Sequence, residues 1–163
     1  MLGPGWIVEN LGEGGATIHH TSDKPYWELM ANRVVDRRPD VVLVLLGTND
    51  SKPRHWYHRD EVARDFDALL EALERQPSHP LIWVCLPPPV FPGQWGIDES
   101  RLRDIRSLLR AKARSHRLPV IDLHEPLLAR AEYFPDQVHP DERASALIAA
   151  TIRERIAGPN RSP

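Results

Sequence analysis

Apolar residues fall into two kinds of run along the 163-residue chain, short β-branched ones and longer spaced ones, and the two alternate. Val41 to Leu46 is continuous, bounded by Pro39 and Gly47, and too short for a buried helix. Its valines predict a strand covered on both faces. Leu81 to Leu86 predicts a second such strand, stopped by Pro87, Pro88 and Pro89, and Pro119 to Leu123 a short last one. Trp6 to Val8 predicts a brief strand ahead of these. Between them apolar residues recur at helical spacing. One helix is expected over about Tyr26 to Arg37, with Leu29, Met30, Val34 and Val35 on one side and Pro39 ending it. Another runs from about Arg59 to Arg75 and buries Val62, Phe66, Leu69, Leu70 and Leu73. A third, about Glu99 to His116, turns Leu102, Ile105, Leu108, Leu109 and Ala113 inward. The last spans about Glu142 to Ile156 and is ended by Gly158 and Pro159.

Strands and helices alternating at these lengths imply βαβ units, hence an α/β domain with a parallel sheet and helices on both faces. The chain is expected to form one domain over residues 1–158 with a frayed tail at 159–163. Composition changes this picture little. A hydrophobic fraction of 41% with 27% charged residues excludes a disordered or fibrous chain. Lys+Arg 21 against Asp+Glu 23, without a run of like charges, gives no electrostatic basis for binding nucleic acid or an anionic membrane. No apolar stretch approaches the roughly 18 residues of a membrane span. The opening residues lack the basic region and apolar core of a signal peptide, and the compartment stays undecided. Cys85 is the single cysteine, so no intrachain disulfide exists, and inside a strand it reads as a small buried hydrophobe.

In an open parallel sheet, ligands bind beyond the carboxyl ends of the strands, and three polar or Gly-rich segments fall there. Gly12-Glu13-Gly14-Gly15 is either a loop whose backbone approaches a ligand or a turn requiring positive φ. It lacks the last glycine of a dinucleotide fingerprint and the Lys-Ser/Thr of a P-loop. Asn49 in Gly47-Thr48-Asn49-Asp50 is either an oxyanion donor or an ordinary turn former, with Asp50 fixing the loop. Asp136 and His139 offer a carboxylate and an imidazole three residues apart, the pairing that orients a general base. His19-His20 has no Cys or third ligand at zinc-like spacing and reads as a pair of surface or loop histidines, so no metal or cofactor is expected. His55, His58, His79, His116 and His124 show no partner pattern. Trp56, Tyr57 and Trp95 either line a pocket or cover helix ends.

Together, Asn10-x-Gly12-x-x-Gly15-Ala16-Thr17, Leu46-Gly47-Thr48-Asn49-Asp50 and Pro135-Asp136-x-x-His139-Pro140 resemble, in order and spacing, the second, third and fifth sequence blocks of the SGNH/GDSL hydrolases. Leu2 to Trp6 and Thr48 to Pro53 resemble the branch of esterases and sialate or polysaccharide O-acetylesterases. The resemblance covers essentially the whole chain and implies a flavodoxin-like three-layer αβα fold. It also implies a serine-type esterase acting on acyl, above all acetyl, esters of small molecules or carbohydrates. Gly15 and Asn49 would then serve the oxyanion hole, and His139 would be the base oriented by Asp136.

One block of that pattern is absent. The family's nucleophile is the serine of a Gly-Asp-Ser block ending the first strand, and no serine precedes Gly15. Neither Ser22 nor Ser51 lies on a strand-to-helix elbow. A strand, the nucleophile turn and part of a helix are missing, on the order of 30 residues by the size of a βαβ unit. In the order 2-1-3-4-5 that strand lies between Trp6–Val8 and Val41–Leu46, so two unpaired apolar edges are expected. The chain is then an incomplete reading of a longer gene (the favoured expectation), or another chain supplies the strand, or the sheet closes up. The esterase is expected to be inactive or impaired as written. The alternatives are a non-catalytic carbohydrate- or acyl-binding module on the same scaffold and, more weakly, a flavodoxin-like nucleotide binder.

Overall fold

Strand β1 (Val41–Val44) pairs in parallel with β2 (Leu81–Leu86), and β2 pairs in parallel with β3 (Val120–Asp122). The resulting order β1-β2-β3 appears in a computed structural model that describes residues 2, 4–92 and 94–157. Among the described residues five α-helices accompany the sheet: α1 (Tyr26–Arg33), the single turn α2 (Pro53–Trp56), α3 (Arg59–Glu74), α4 (Glu99–Ser115) and α5 (Glu142–Ile156). The helical periodicities located α1, α3, α4 and α5 to within a few residues but gave no sign of the single turn α2; the first expected helix ends in a 3-10 turn over Val35–Arg37. Gly158 and Pro159, the 159–163 tail and the side chain of Val35 lie outside the described residues.

β2 is the central strand, and its alternation divides the core. Ile82, Val84 and Leu86 share one cluster with Val62, Phe66 and Leu70 of α3 and Leu102, Ile105 and Leu109 of α4. Trp83 and Cys85 point the other way, against Ile121, Leu123 and Ile156, so α5 covers that face. Helices thus lie on both faces of a parallel sheet, as the βαβ pattern requires. Two side-chain caps place the late helices: Asp98 accepts from Arg101 N (3.0 Å), and Asp141 from Arg143 N and Ala144 N (2.9 and 3.0 Å).

Two expectations are corrected. Trp6–Val8 is not a strand: it is irregular, and Ile7 is 91% exposed. Three residues form a strand only when a ladder partner takes up their backbone groups, and among the described residues none does. The first strand is also shorter than expected and covered on one face only. Val44 is buried, while on the opposite face only Val41 packs partly against the cluster under α5 and Leu43 and Leu45 are exposed. The outer edge of β1 pairs with no described strand.

Candidate active site

Gly47 ends the apolar run and sets the turn that follows. It adopts φ +110, and a Cβ there would lie 2.8 Å from Ile105 Cγ2, so only glycine lets α4 pack this closely. The chain then enters a 3-10 turn over Asn49–Ser51. Asp50 points inward, fully buried, and accepts hydrogen bonds from the backbone N–H of Ile18 (3.0 and 3.1 Å) and His19 (3.1 Å). Burial pushes its carboxyl up to about 6 despite these donors. It thereby holds the segment after the Gly-rich loop against the end of β1, a long-range role beyond the local turn read from the sequence.

That anchorage brings two expected site residues together. Asn49 Nδ2 donates to the carbonyl of Ala16 (3.1 Å), the residue after Gly15. An amide nitrogen carries two hydrogens, so one N–H stays available. Gly15 adopts φ +82, where a side chain would be strained, and among the described residues its N–H donates to nothing.

The other pair forms within one turn. Asp136 Oδ1 accepts from the N–H of Val138 (3.0 Å) and of His139 (2.7 Å), and Oδ2 lies 2.7 Å from His139 Nδ1. The His139 backbone and ring bonds hold the Asp136 carboxyl down at about 2. With Nδ1 engaged, Nε2 is the free nitrogen, and the ring is largely exposed. Gln137, between the two, adopts φ +69, and its carbonyl accepts from Phe91 N (2.9 Å), which ties this turn to the loop after β2. Further along that loop the Trp95 ring packs edge-on to His139, with centroids 5.1 Å apart.

Arg101 of α4 links the two halves. Its guanidinium donates to Ser51 O (2.6 Å) in the Asn49 turn and to Gly96 O (2.9 Å) beside Trp95. A continuous line of contacts therefore runs from Gly15–Ala16 through Asn49, Ser51, Arg101, Gly96 and Trp95 to His139. Chemically, one half offers backbone and amide N–H groups and the other an oriented imidazole. The serines on hand do not join it. Ser51 is buried with its hydroxyl on Thr48 O (2.7 Å), Ser22 bonds Thr17, and among the described residues no serine hydroxyl contacts His139.

Several residues escaped the sequence reading. Arg106 occupies an inward position of α4, paired with Glu99 and facing the carbonyls of Pro87 and Pro88 (3.4 Å each), and so braces the proline loop. The periodicity of leucines around it gave no sign of a buried cation. His19 is not a surface histidine but is almost wholly buried. Four of the five histidines without a sequence pattern have partners in space: His58 meets Glu61, His55 meets Asp23, His116 meets Asp67 and Glu74, and His124 meets Glu99. The aromatics divide: Trp56 packs on the core, Tyr57 is exposed, and Trp95 stands at the dyad. Cys85 is buried, and its apolar surroundings push the thiol up to about 12, which makes it inert.

The fold defines the class, an α/β protein of the SGNH-hydrolase type with its parallel sheet between helices. Solved structures agree on the fold: a lipase/acylhydrolase from Enterococcus faecalis superposes with a TM-score of 0.75 at 19% identity, covering 91% of this chain and 75% of that one. An acetyl xylan esterase does so at 0.74 and 19% identity, covering 89% and 78%. The family model for the GDSL-like lipase/acylhydrolases matches residues 2–147, and the chain belongs to that family. In sequence it is 31% identical, over 176 aligned positions, to an acetylxylan esterase of Xylanibacter ruminicola. That alignment takes in 96% of this chain but only 37% of the relative, so the chain spans little more than a third of the curated protein it matches. No helix among the described residues is long and apolar enough to cross a membrane.

Proposed function

We propose that this chain carries the base and oxyanion half of a serine-type acyl-ester hydrolase site, with acetyl esters of carbohydrates as the preferred substrates. In this reading His139 is the general base, Asp136 holds its tautomer and orientation, and Gly15 N–H with the second Asn49 N–H stabilises the oxyanion. The observation that carries it is the Asp136–His139 pair: an exposed imidazole fixed on Nδ1 by a carboxylate at 2.7 Å, with Nε2 free. Binding alone does not require an oriented base. The acetylxylan esterase relative and the exposed Trp95 ring beside His139, a surface on which a sugar can stack, support the substrate class.

No described serine completes the triad, so the 163 residues on their own hydrolyse acyl esters only at the residual rate that an oxyanion hole and binding sustain. The test compares p-nitrophenyl acetate and acetylated xylo-oligosaccharide hydrolysis by this chain and by one preceded by a strand ending in Gly-Asp-Ser. Turnover that appears only in the extended chain, and is lost again in its H139A variant, supports the reading. Background rates in both chains defeat it.

A second reading, a non-catalytic carbohydrate- or acyl-binding module, draws on the same lack of a serine contact at His139. Tight binding of an acetylated oligosaccharide with no turnover in the extended chain would favour it.

A further inference from the structure

Outside this site, the turn after the Gly-rich loop meets the start of α3. His19 Nε2 lies 3.1 Å from Glu61 Oε2, and His58 Nδ1 lies 3.1 Å from Glu61 Oε1. The two imidazoles stack with centroids 5.0 Å apart, and one ligand atom from each of the three residues falls within 4.8 Å of the others. From these positions we propose a binding site for a divalent transition metal of the zinc class at His19, His58 and Glu61, with water completing the coordination.

The separations fit such an ion. Zinc bonds of about 2.0–2.1 Å at tetrahedral angles place neighbouring donor atoms about 3.3 Å apart. Each His nitrogen already lies 3.1 Å from one Glu61 oxygen, His19 Nε2 from Oε2 and His58 Nδ1 from Oε1; gathering all three ligands on a single oxygen closes separations of at most 4.8 Å, an adjustment that falls to the partly exposed His58 and Glu61 side chains. Two imidazole nitrogens with one carboxylate oxygen select zinc-like ions over magnesium or calcium, which prefer oxygen donors throughout.

The ring that cannot move is also the one held in place. His19 is buried, its N–H is fixed by Asp50 Oδ1 (3.1 Å), and its Nε2 side also meets the Thr21 hydroxyl (3.0 Å). Its Nδ1 is buried with no hydrogen-bond partner, so every polar interaction of the ring is on the side facing Glu61. The pocket beside it, about 210 Å³, is lined by His19, Thr21, Ser22, Asp23, Arg54, His55 and His58; it opens to solvent, and Arg54 there is paired with Asp23, which leaves an ion a way in. Because His19 follows Gly15 by four residues, the ion fastens the Gly-rich loop to the first turn of α3. Its role is structural, separate from the esterase proposal, and the site stands or falls without it.

The sequence concealed this cluster because His19 and the His58–Glu61 pair lie 39 residues apart. The test is isothermal titration of the chelator-treated full chain with ZnCl2, alongside melting curves with and without zinc. One equivalent bound by the parent chain and by H79A, weakened at least about tenfold in both H58A and E61Q, is expected. A zinc-dependent rise in Tm should appear in the parent and vanish in the same two variants. Zinc uptake that H58A and E61Q leave unchanged, that H79A removes, or that the parent lacks while its circular dichroism shows a folded α/β chain, overturns the proposal.

Discussion

The Asp136–His139 turn and the Asn49–Asp50 turn are joined through Arg101, Gly96 and Trp95, yet they are built in opposite ways. The first is local and wet: one carboxylate binds two amides and a ring within four residues, and the ring stays exposed. The second is long-range and dry: Asp50 and Asn49 reach 31 to 33 residues back to hold Ala16, Ile18 and His19, and Asp50 is fully buried. A local motif survives most changes around it and fails only at its own residues. A buried junction depends on the packing of both partners, so damage there spreads into stability.

The contrast is sharpest in what substitutions do. In the chain extended with Gly-Asp-Ser, H139A should lower kcat/KM for p-nitrophenyl acetate by about 10⁴-fold or more, while its Tm stays within a degree or two of the parent's. D136N should cost roughly 10³- to 10⁴-fold through loss of the tautomer, again with little change in melting. An H139A protein that unfolds would show that the dyad turn is not independent of the core.

At the buried turn the order reverses. D50A leaves two buried N–H groups without an acceptor and should destabilise the chain by about 3 kcal/mol, read as a fall in Tm on the order of 10 °C. Its kcat/KM below the new Tm should fall far less than that of H139A. Equal losses of activity in D50A and H139A would mean that Asp50 positions the oxyanion donors directly.

The two carboxylates should also respond oppositely to pH. Asp50, raised from 3.8 to about 6 on folding, favours the folded state most when protonated, and that contribution is lost as pH rises from about 4 through 6. Asp136, lowered from 3.8 to about 2, contributes above pH 4, and its contribution is lost as pH falls through 2. Denaturant melts of the parent and D50N between pH 4 and 7 should diverge, with D50N losing the slope. Identical slopes would remove the burial cost assigned to Asp50.

The same contrast explains what could be read from the chain. Asp136-x-x-His139 is a motif because its geometry is closed within one turn, and the helices were legible because Val62, Phe66, Leu69 and Leu70 repeat at a period set by the backbone itself. Long-range arrangements were not. The extended look of Trp6–Val8 said nothing about a ladder partner, and Val41–Leu46 gave no warning that α5 leaves Leu43 and Leu45 bare. Arg106 sat in a leucine-rich stripe whose charge is satisfied by Glu99 and two proline carbonyls, and the His19 environment is assembled from three separate segments. Gly15 and Asn49 stand out in the chain only through the order of the blocks in which they lie, since a glycine turn and an Asn after a strand are each commonplace.

In the proposed site Gly15, Asn49 and His139 serve one carbonyl. A crystal structure of the Gly-Asp-Ser-extended chain inactivated with an alkyl phosphonate tests this directly. It should show the phosphonyl oxygen about 3 Å from Gly15 N and Asn49 Nδ2, and His139 Nε2 at a similar distance from the serine oxygen. A phosphonate that leaves these N–H groups without contact, or a His139 ring turned away from the serine, would contradict it.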